Sequence, residues 1–443
     1  MKKLIIAGFA IATLGLTSCS EDDDAPTEQL ATCTDGIQNG NETGIDCGGA
    51  CAPCEGEGDG DGNGQVPVDE DLSGLLTDDF TLTNDVIWEI NGKFVVGDGA
   101  VLTIEPGTII KGAEGTGSLA SALIVARGGQ IMAEGTAEEP IIFTSINDNI
   151  ELGQKQGSNL DENNRGLWGG VLILGRAPSS FEGDSEESQI EGIPADDDFG
   201  RYGGNDPEDN SGVFKYVSIR HGGALIGSGN EINGLTMGGV GTGTVIDHVE
   251  VVGNVDDGFE WFGGTVNSSN LVAFAGGDDG LDIDQSYSGT ITNALVIQGA
   301  ESDHALEIDG PEGTFQDAFT IEDLTIIGDP TAPSGEIADL RDGARGAFNN
   351  VFVRGFNDGQ DVEIDDDGSA ANYADGSLSF SAWEVVLPEG VDSVSAIFVD
   401  TTESTDFSSD ASDFATAVEQ DEETVGADLS VFDWTYASFR GAF

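Results

Sequence analysis

Glycine recurs at Gly253, Gly276, Gly299, Gly328 and Gly355, each closing a short apolar run, at intervals of 23, 23, 29 and 27 residues. The longer intervals hold inserts such as Asp329 to Ser334, and six residues before each glycine stands a polar residue: Asp247, Asn270, Asn293, Glu322 or Asn349. A second register runs beside the first, through Phe259-Glu-Trp-Phe262, Leu281-Asp-Ile-Asp284, Leu306-Glu-Ile-Asp309 and Val362-Glu-Ile-Asp365. Its first and third residues are apolar and its second and fourth mostly acidic, the alternation of a strand with one buried face. A unit this short cannot bury a core alone, so copies must stack into a solenoid. Leucine-rich repeats have similar length, but their Leu/Asn pattern is absent and no helix-forming stretch alternates with the strands.

Composition narrows what such a solenoid can do. The 443 residues carry 83 Asp+Glu against 15 Lys+Arg, a formal charge of −68. That excludes a surface for nucleic-acid phosphates and electrostatic docking on anionic lipid. Gly-x-Ser-x-Gly, His-Glu-x-x-His and Walker motifs are missing, so serine hydrolase, zinc protease and nucleotidase chemistries lack support. The three histidines, His221, His248 and His304, fall on different coils without metal-ligand spacing.

The N-terminus reads as an address. Lys2 and Lys3 precede an apolar run, Leu4 to Leu16, that is too short to span a bilayer, and it ends Leu16-Thr-Ser-Cys19. This resembles the lipobox of bacterial lipoproteins, which implies acylation of Cys19 and stable anchoring through several acyl chains. The acidic run Ser20-Glu-Asp-Asp-Asp24 is similar to the signal that sends Bacteroidota lipoproteins to the outer face of the outer membrane. Cys33, Cys47, Cys51 and Cys54 then form an even set in an exported context, read as two disulfides with three open pairings. The run around them resembles a short Cys-rich module of bacterial surface proteins, which implies a compact spacer. Asp59, Asp61, Asn63 and Glu70 fit the spacing of an EF-hand calcium loop. Pro67 and the absence of helical flanks weigh against that match, which Gly/Asp composition half supplies.

The expected organisation is a signal peptide (1–18), an acidic tether (19–32), the disulfide module (33–54), a Gly/Asp-rich linker and lead-in (55–85), the solenoid (86–400) and a C-terminal cap (401–443). Trp434, Tyr436, Phe439 and Phe443 would close the open end of the solenoid. Inserts at Asn147 to Arg165 and Phe181 to Ser211 are polar surface loops of the kind that gather on a binding face.

Gly99-Ala-Val-Leu-Thr-Ile-Glu-Pro-Gly-Thr-Ile-Ile-Lys-Gly112, Tyr216-Val-Ser-Ile-Arg-His-Gly222 and the coils above resemble right-handed parallel β-helix proteins, more narrowly Bacteroidota surface lipoproteins of the pectin-lyase-like superfamily. The resemblance implies an all-β, right-handed, single-stranded parallel β-helix after the disulfide-stapled module. It speaks weakly to activity, because that fold hosts lyases, hydrolases and adhesins.

Stacking places Glu260, Asp282 and Glu307 in one outward column, followed by Arg341 and Glu363, with Asp257, Asp279 and Asp303 beside it and Asp256 and Asp278 adjacent. Like charges so stacked repel, and the ladder needs protons, a cation or an arginine. Hard oxygen ligands favour calcium, with Asp257, Asp279, Asp282 and Glu307 as candidate ligands. If the chain is an enzyme, the resemblance implies a calcium-dependent lyase with Arg341 as base, or a hydrolase using Glu260 and Asp282. The leading expectation is a non-catalytic, surface-exposed lipoprotein of the outer membrane that binds extracellular polysaccharide and touches the membrane only through its lipid. A structural display rod is the remaining reading, since an acidic sheet face can simply be well solvated.

Overall fold

The structure is a computed structural model that describes residues 71–193, 197–224, 232–333 and 335–443. Cys19, the four further cysteines, and Asp59, Asp61, Asn63 and Glu70 lie outside the described residues.

Strands pair in parallel, coil upon coil, along three faces. The first face starts with Phe80–Leu82, Val101–Ile104 and Gln130–Glu134. The second includes Ile109–Gly112 and Ile141–Ser145. The third runs through Ala122–Val125, Val171–Leu174, Leu235–Gly238, Phe259–Phe262, Leu281–Asp284, His304–Asp309, Glu336–Arg341, Val362–Ile364 and Phe398–Asp400. From Gly212–Arg220 onward one bent strand per coil serves the first two faces. This is an all-β parallel solenoid, consistent with a right-handed β-helix.

The bend has a local cause. Tyr216, His248, Asn270, Asn293, Asp323, Asn350 and Ala382 stack at the corner with φ between 48° and 59°, where the ladder skips one residue. Left-handed backbone costs an ordinary residue about 1–2 kcal/mol, and Asn and Asp adopt it most readily. Their side chains also bond along the column: Asn293 Nδ2 donates to Asn270 Oδ1 (2.7 Å) and Asn350 Nδ2 to Asp323 Oδ1 (3.1 Å). The turn column is therefore His248, Asn270, Asn293, Asp323 and Asn350, displaced by one residue at three positions from that expected. The stacked partners of Gly253 and Gly328 are likewise Ala275 and Gln298, not Gly276 and Gly299.

The inward residues form one continuous core from Leu72 to Ala415. The solenoid is longer than residues 86–400 at both ends. Asp71–Leu76 already pairs with Ile87–Val96, and Ala415–Ala417 pairs with the strand Leu378–Val385. Its C-terminal end is closed by the helix Phe407–Phe414, whose Phe407 and Phe414 rings lie 5.1 and 5.3 Å from Phe380 and 5.5 and 5.1 Å from Phe398.

Trp434, Tyr436, Phe439 and Phe443 do not close that end. The segment carrying them returns along the flank, where Phe432, Tyr436 and Ala437 cover Val252, Val272, Phe274, Leu295, Ile297 and Ile327. Phe439 stays exposed, Phe443 packs beside Phe432, and Trp434 meets Tyr216 at 5.5 Å. The second face needs this strap because stretches such as Leu271-Val-Ala-Phe274 and Ala294-Leu-Val-Ile297 are apolar on both sides, as buried parallel strands are. The two inserts also part company. Ile150 of the first packs on Ile109 and Ile142 of the second face. The second insert lays Phe181, Ile190, Ile193 and Tyr202 over Val95, Ile124, Leu172, Leu174 and Phe262 of the third. No helix among the described residues is long and apolar enough to cross a membrane.

Candidate functional site: an acidic cleft on the third face

Where the second insert ends, the outward side of the third face changes from apolar to acidic. Phe259, Trp261, Leu281, Ile283, Leu306 and Ile308 point into the core. Strand alternation then forces Glu260, Asp282 and Glu307 outward in register, continued by Asp339 and Glu363. Glu191 from the second insert helps wall a cleft of about 500 Å³ over this column. Nine Asp or Glu residues, His304 and Arg341 line it.

Two expected placements are corrected by the register. Arg341 stands opposite Asp309, and Asp339 holds the place beside Glu307 that was expected for Arg341. A two-residue slip preserves inward and outward alternation, so periodicity alone does not reveal it. Likewise His304, not Asp303, continues the column of Asp257 and Asp279. The Asp279 amide donates to Asp257 Oδ1 (3.1 Å) and the His304 amide to Asp279 Oδ1 (2.8 Å). His304 thereby enters the site that sequence spacing denied it. The other two histidines are structural: His221 Nδ1 lies 2.8 Å from the Asn164 carbonyl, and His248 stacks on Tyr216 at 4.2 Å.

The expected metal ligands separate into two groups. Asp279 and Glu307 gather around His304, whose Nδ1 lies 2.9 Å from Asp279 Oδ1 and 3.4 Å from Glu307 Oε2. Asp257 and Asp282 instead join Glu260, with one oxygen of each within 4.8 Å of the others. Asn233 Nδ2 donates to Glu260 Oε2, a contact that nothing in the sequence foreshadows.

Burial pushes the Asp257, Glu260, Asp282 and Asp284 carboxyls well above the usual carboxylate range, and neighbouring carboxylates add to it. Asp279 is raised mainly by burial. Burial opposes a charged His304, yet its bonds to Asp279 and Glu307 prevail and raise its value. For Glu307, burial is outweighed by His304, Asp279 and Arg341, which hold its carboxyl below the ordinary value.

Arg341 is pinned. Its Nε donates to Asp309 Oδ1 (2.8 Å), its Nη2 donates to Glu307, and Nη1 lies 3.7 Å from Asp339. Burial works against its charge, but these carboxylates more than offset that and raise an already high value. A lyase base must release a proton near neutral pH, and every partner of Arg341 acts in the other direction. Glu260 and Asp282, the pair expected for a hydrolase, are 4% and 8% exposed. The all-oxygen donor set of Asp257, Glu260 and Asp282 does fit calcium. Arg341→Ala is expected to lower stability by about 1–2 kcal/mol, discounted because the side chain is 37% exposed. Denaturant titration checks it, and a change below about 0.3 kcal/mol would show that these ion pairs contribute little.

Stacked parallel coils presenting polar side chains from one face define the class of parallel β-helix proteins with a surface cleft. Within that class the chain belongs to a pectate-lyase-like family: the model described as "Pectate-lyase like beta helix domain" matches residues 74–438. No curated protein matches the chain. Among solved structures, full-length tailspike protein 2 from Escherichia coli O157:H7 bacteriophage CAB120 is similar at 12% identity and a TM-score of 0.19. That similarity covers 68% of this chain and 38% of the tailspike chain.

Proposed function

We propose that the protein is a lipid-anchored, surface-exposed outer-membrane lipoprotein whose β-helix binds extracellular polysaccharide without cleaving it. The observation that carries this reading is the acidic cleft itself. It is open at the rim and rich in acceptors, yet its arginine is held by three carboxylates, and Glu260 and Asp282 are buried. Carboxylates such as Asp256 and Asp303, partly exposed at the rim, accept hydrogen bonds from sugar hydroxyls. A sugar carboxylate would reach them only through a divalent cation, and calcium suits that bridge. The lipobox-like run ending at Cys19 and the acidic run after it support display at the surface. Membership of a pectate-lyase-like family favours a glycan over other polymers.

The test incubates the purified chain with acidic and neutral polysaccharides, in calcium and in chelator. Expected is retention on at least one glycan with neither ultraviolet absorbance from unsaturated ends nor new reducing ends. Calcium-dependent unsaturated product would replace this reading with a lyase, and reducing ends alone with a hydrolase. No retention on any glycan would leave a structural display rod.

A further inference from the structure

Three carboxylates meet in the cleft, each of them buried. Asp257 lies in the turn before the third-face strand Phe259–Phe262, Glu260 is on that strand, and Asp282 is on the next coil. They are 6%, 4% and 8% exposed, and one oxygen of each lies within 4.8 Å of the others. Protein donors account for part of this charge. Asp257 Oδ1 accepts from the Asp279 amide and Glu260 Oε2 from Asn233. Asp282 Oδ1 is buried and, among the described residues, accepts from nothing.

An orphaned buried carboxylate oxygen is expensive, and neighbouring carboxylates cannot supply a proton donor while charged. The cationic groups of the cleft are engaged elsewhere: Arg341 on Glu307, Asp309 and Asp339, and His304 on Asp279 and Glu307. The position therefore calls for something small and positive that bonds oxygen. Calcium takes oxygen ligands at about 2.3–2.6 Å in flexible geometry, which suits oxygens within 4.8 Å of one another. Magnesium demands a tighter, near-ideal octahedron, which oxygens spaced up to 4.8 Å apart suit less well. Zinc prefers the nitrogen or sulfur ligands that these three residues lack.

We propose that Asp257, Glu260 and Asp282 hold a structural calcium ion that fastens adjacent coils of the third face to the turn before them. The ion acts on stability and needs no glycan. It is distinct from any cation bridging sugar to the rim.

The full chain, stripped with chelator, is melted with and without calcium chloride and then titrated calorimetrically. The wild type is expected to gain about 5 °C at calcium well above its Kd. Asp282→Asn removes one charge from the repelling trio, so its metal-free form should melt no lower than the metal-free wild type. It should lose the calcium-dependent gain and bind calcium about 100-fold more weakly or less. Glu260→Gln repeats the test should Asp282→Asn fail to fold, and Glu363→Gln, outside the trio, should keep the full gain. A wild type whose melting ignores calcium overturns the site. So does a folded Asp282→Asn that keeps the full gain, which would put the ion elsewhere in the chain. Because no glycan is present, either failure leaves polysaccharide retention untouched.

Discussion

Replacing Glu250 by alanine is expected to destabilise the protein by about 3–5 kcal/mol and to loosen the C-terminal strap. Glu250 is fully buried under that strap, on the outward side of the strand Val245–Val252. It accepts from Ser218 Oγ (2.6 Å) and from the amides of Tyr436 (3.0 Å) and Ala437 (2.8 Å). Arg220, 2% exposed, lies alongside. Its Nε donates to Ser218 Oγ (2.8 Å), its Nη1 donates to the Lys155 carbonyl (2.8 Å), and the guanidinium sits 4.8 Å from the centre of the Tyr436 ring. Burial lowers the Arg220 value, and Glu250 is the foremost charge resisting that shift.

Alanine at 250 would remove the foremost negative charge facing a buried cation and leave two amides without this acceptor, which places the cost at the upper end for single substitutions. Gln at 250 keeps an acceptor while losing the charge, so about 2 kcal/mol is expected. Calorimetry and limited proteolysis check both, with the alanine variant cut within residues 423–443 under conditions the wild type survives. An alanine variant with an unchanged melting temperature and an intact strap would show that Arg220 is adequately solvated without Glu250.

The architecture was legible because stacked coils repeat their burial pattern, and strand alternation is visible wherever one face is wet. Leu281-Asp-Ile-Asp284 and Leu306-Glu-Ile-Asp309 align in sequence as they pair in space. Periodicity fixes parity and leaves register free in steps of two, which is how Arg341 came to be expected beside Glu307 rather than opposite Asp309. One-residue differences in coil length shifted the glycine column, since Ala275 and Gln298 occupy places that glycine takes in other coils.

His304 could have been found. It lies two residues before Leu306, as Asp279 lies two before Leu281, and the alignment that paired the leucines pairs these as well. The strap also left a signal. Leu271-Val-Ala-Phe274 and Ala294-Leu-Val-Ile297 are apolar at every position, which on a solenoid flank requires cover on the outside. Asn233 left none, because its approach to Glu260 depends on how the chain returns from the loop before it.

The acidic face predicts an inverted pH dependence: in chelator the melting temperature should be lower at pH 8.5 than at pH 5, by at least about 5 °C. Unfolded Asp and Glu titrate near 4. In the folded protein, burial and then Glu363 and Glu336 lift Asp361 to about 7. Between those two values the native state binds more protons than the unfolded state, so stability falls as pH rises. Asp257, Asp279, Glu260, Asp282 and Asp284 are raised as well, so each adds a decline that begins near pH 4. The raised His304 acts with the same sign. Its contribution is complete below its unfolded value near 6.5 and wanes above it.

The opposing groups lie lower on the scale. Burial disfavours the Asp247 carboxylate, but His248, Lys215 and Asn270 depress its value, and Asp366 and Asp400 are also depressed. Their stabilisation is present above about pH 4 and is lost below it. The two sets place the maximum near pH 5 for the metal-free protein. Asp361→Asn should remove the part of the slope between about pH 4 and 7 that belongs to that residue, without steepening the rest. A melting temperature that climbs from pH 5 to 8.5 in chelator would mean that the cleft carboxylates are solvated well enough to ionise at ordinary values. It would also remove the electrostatic need for any ion beneath the rim.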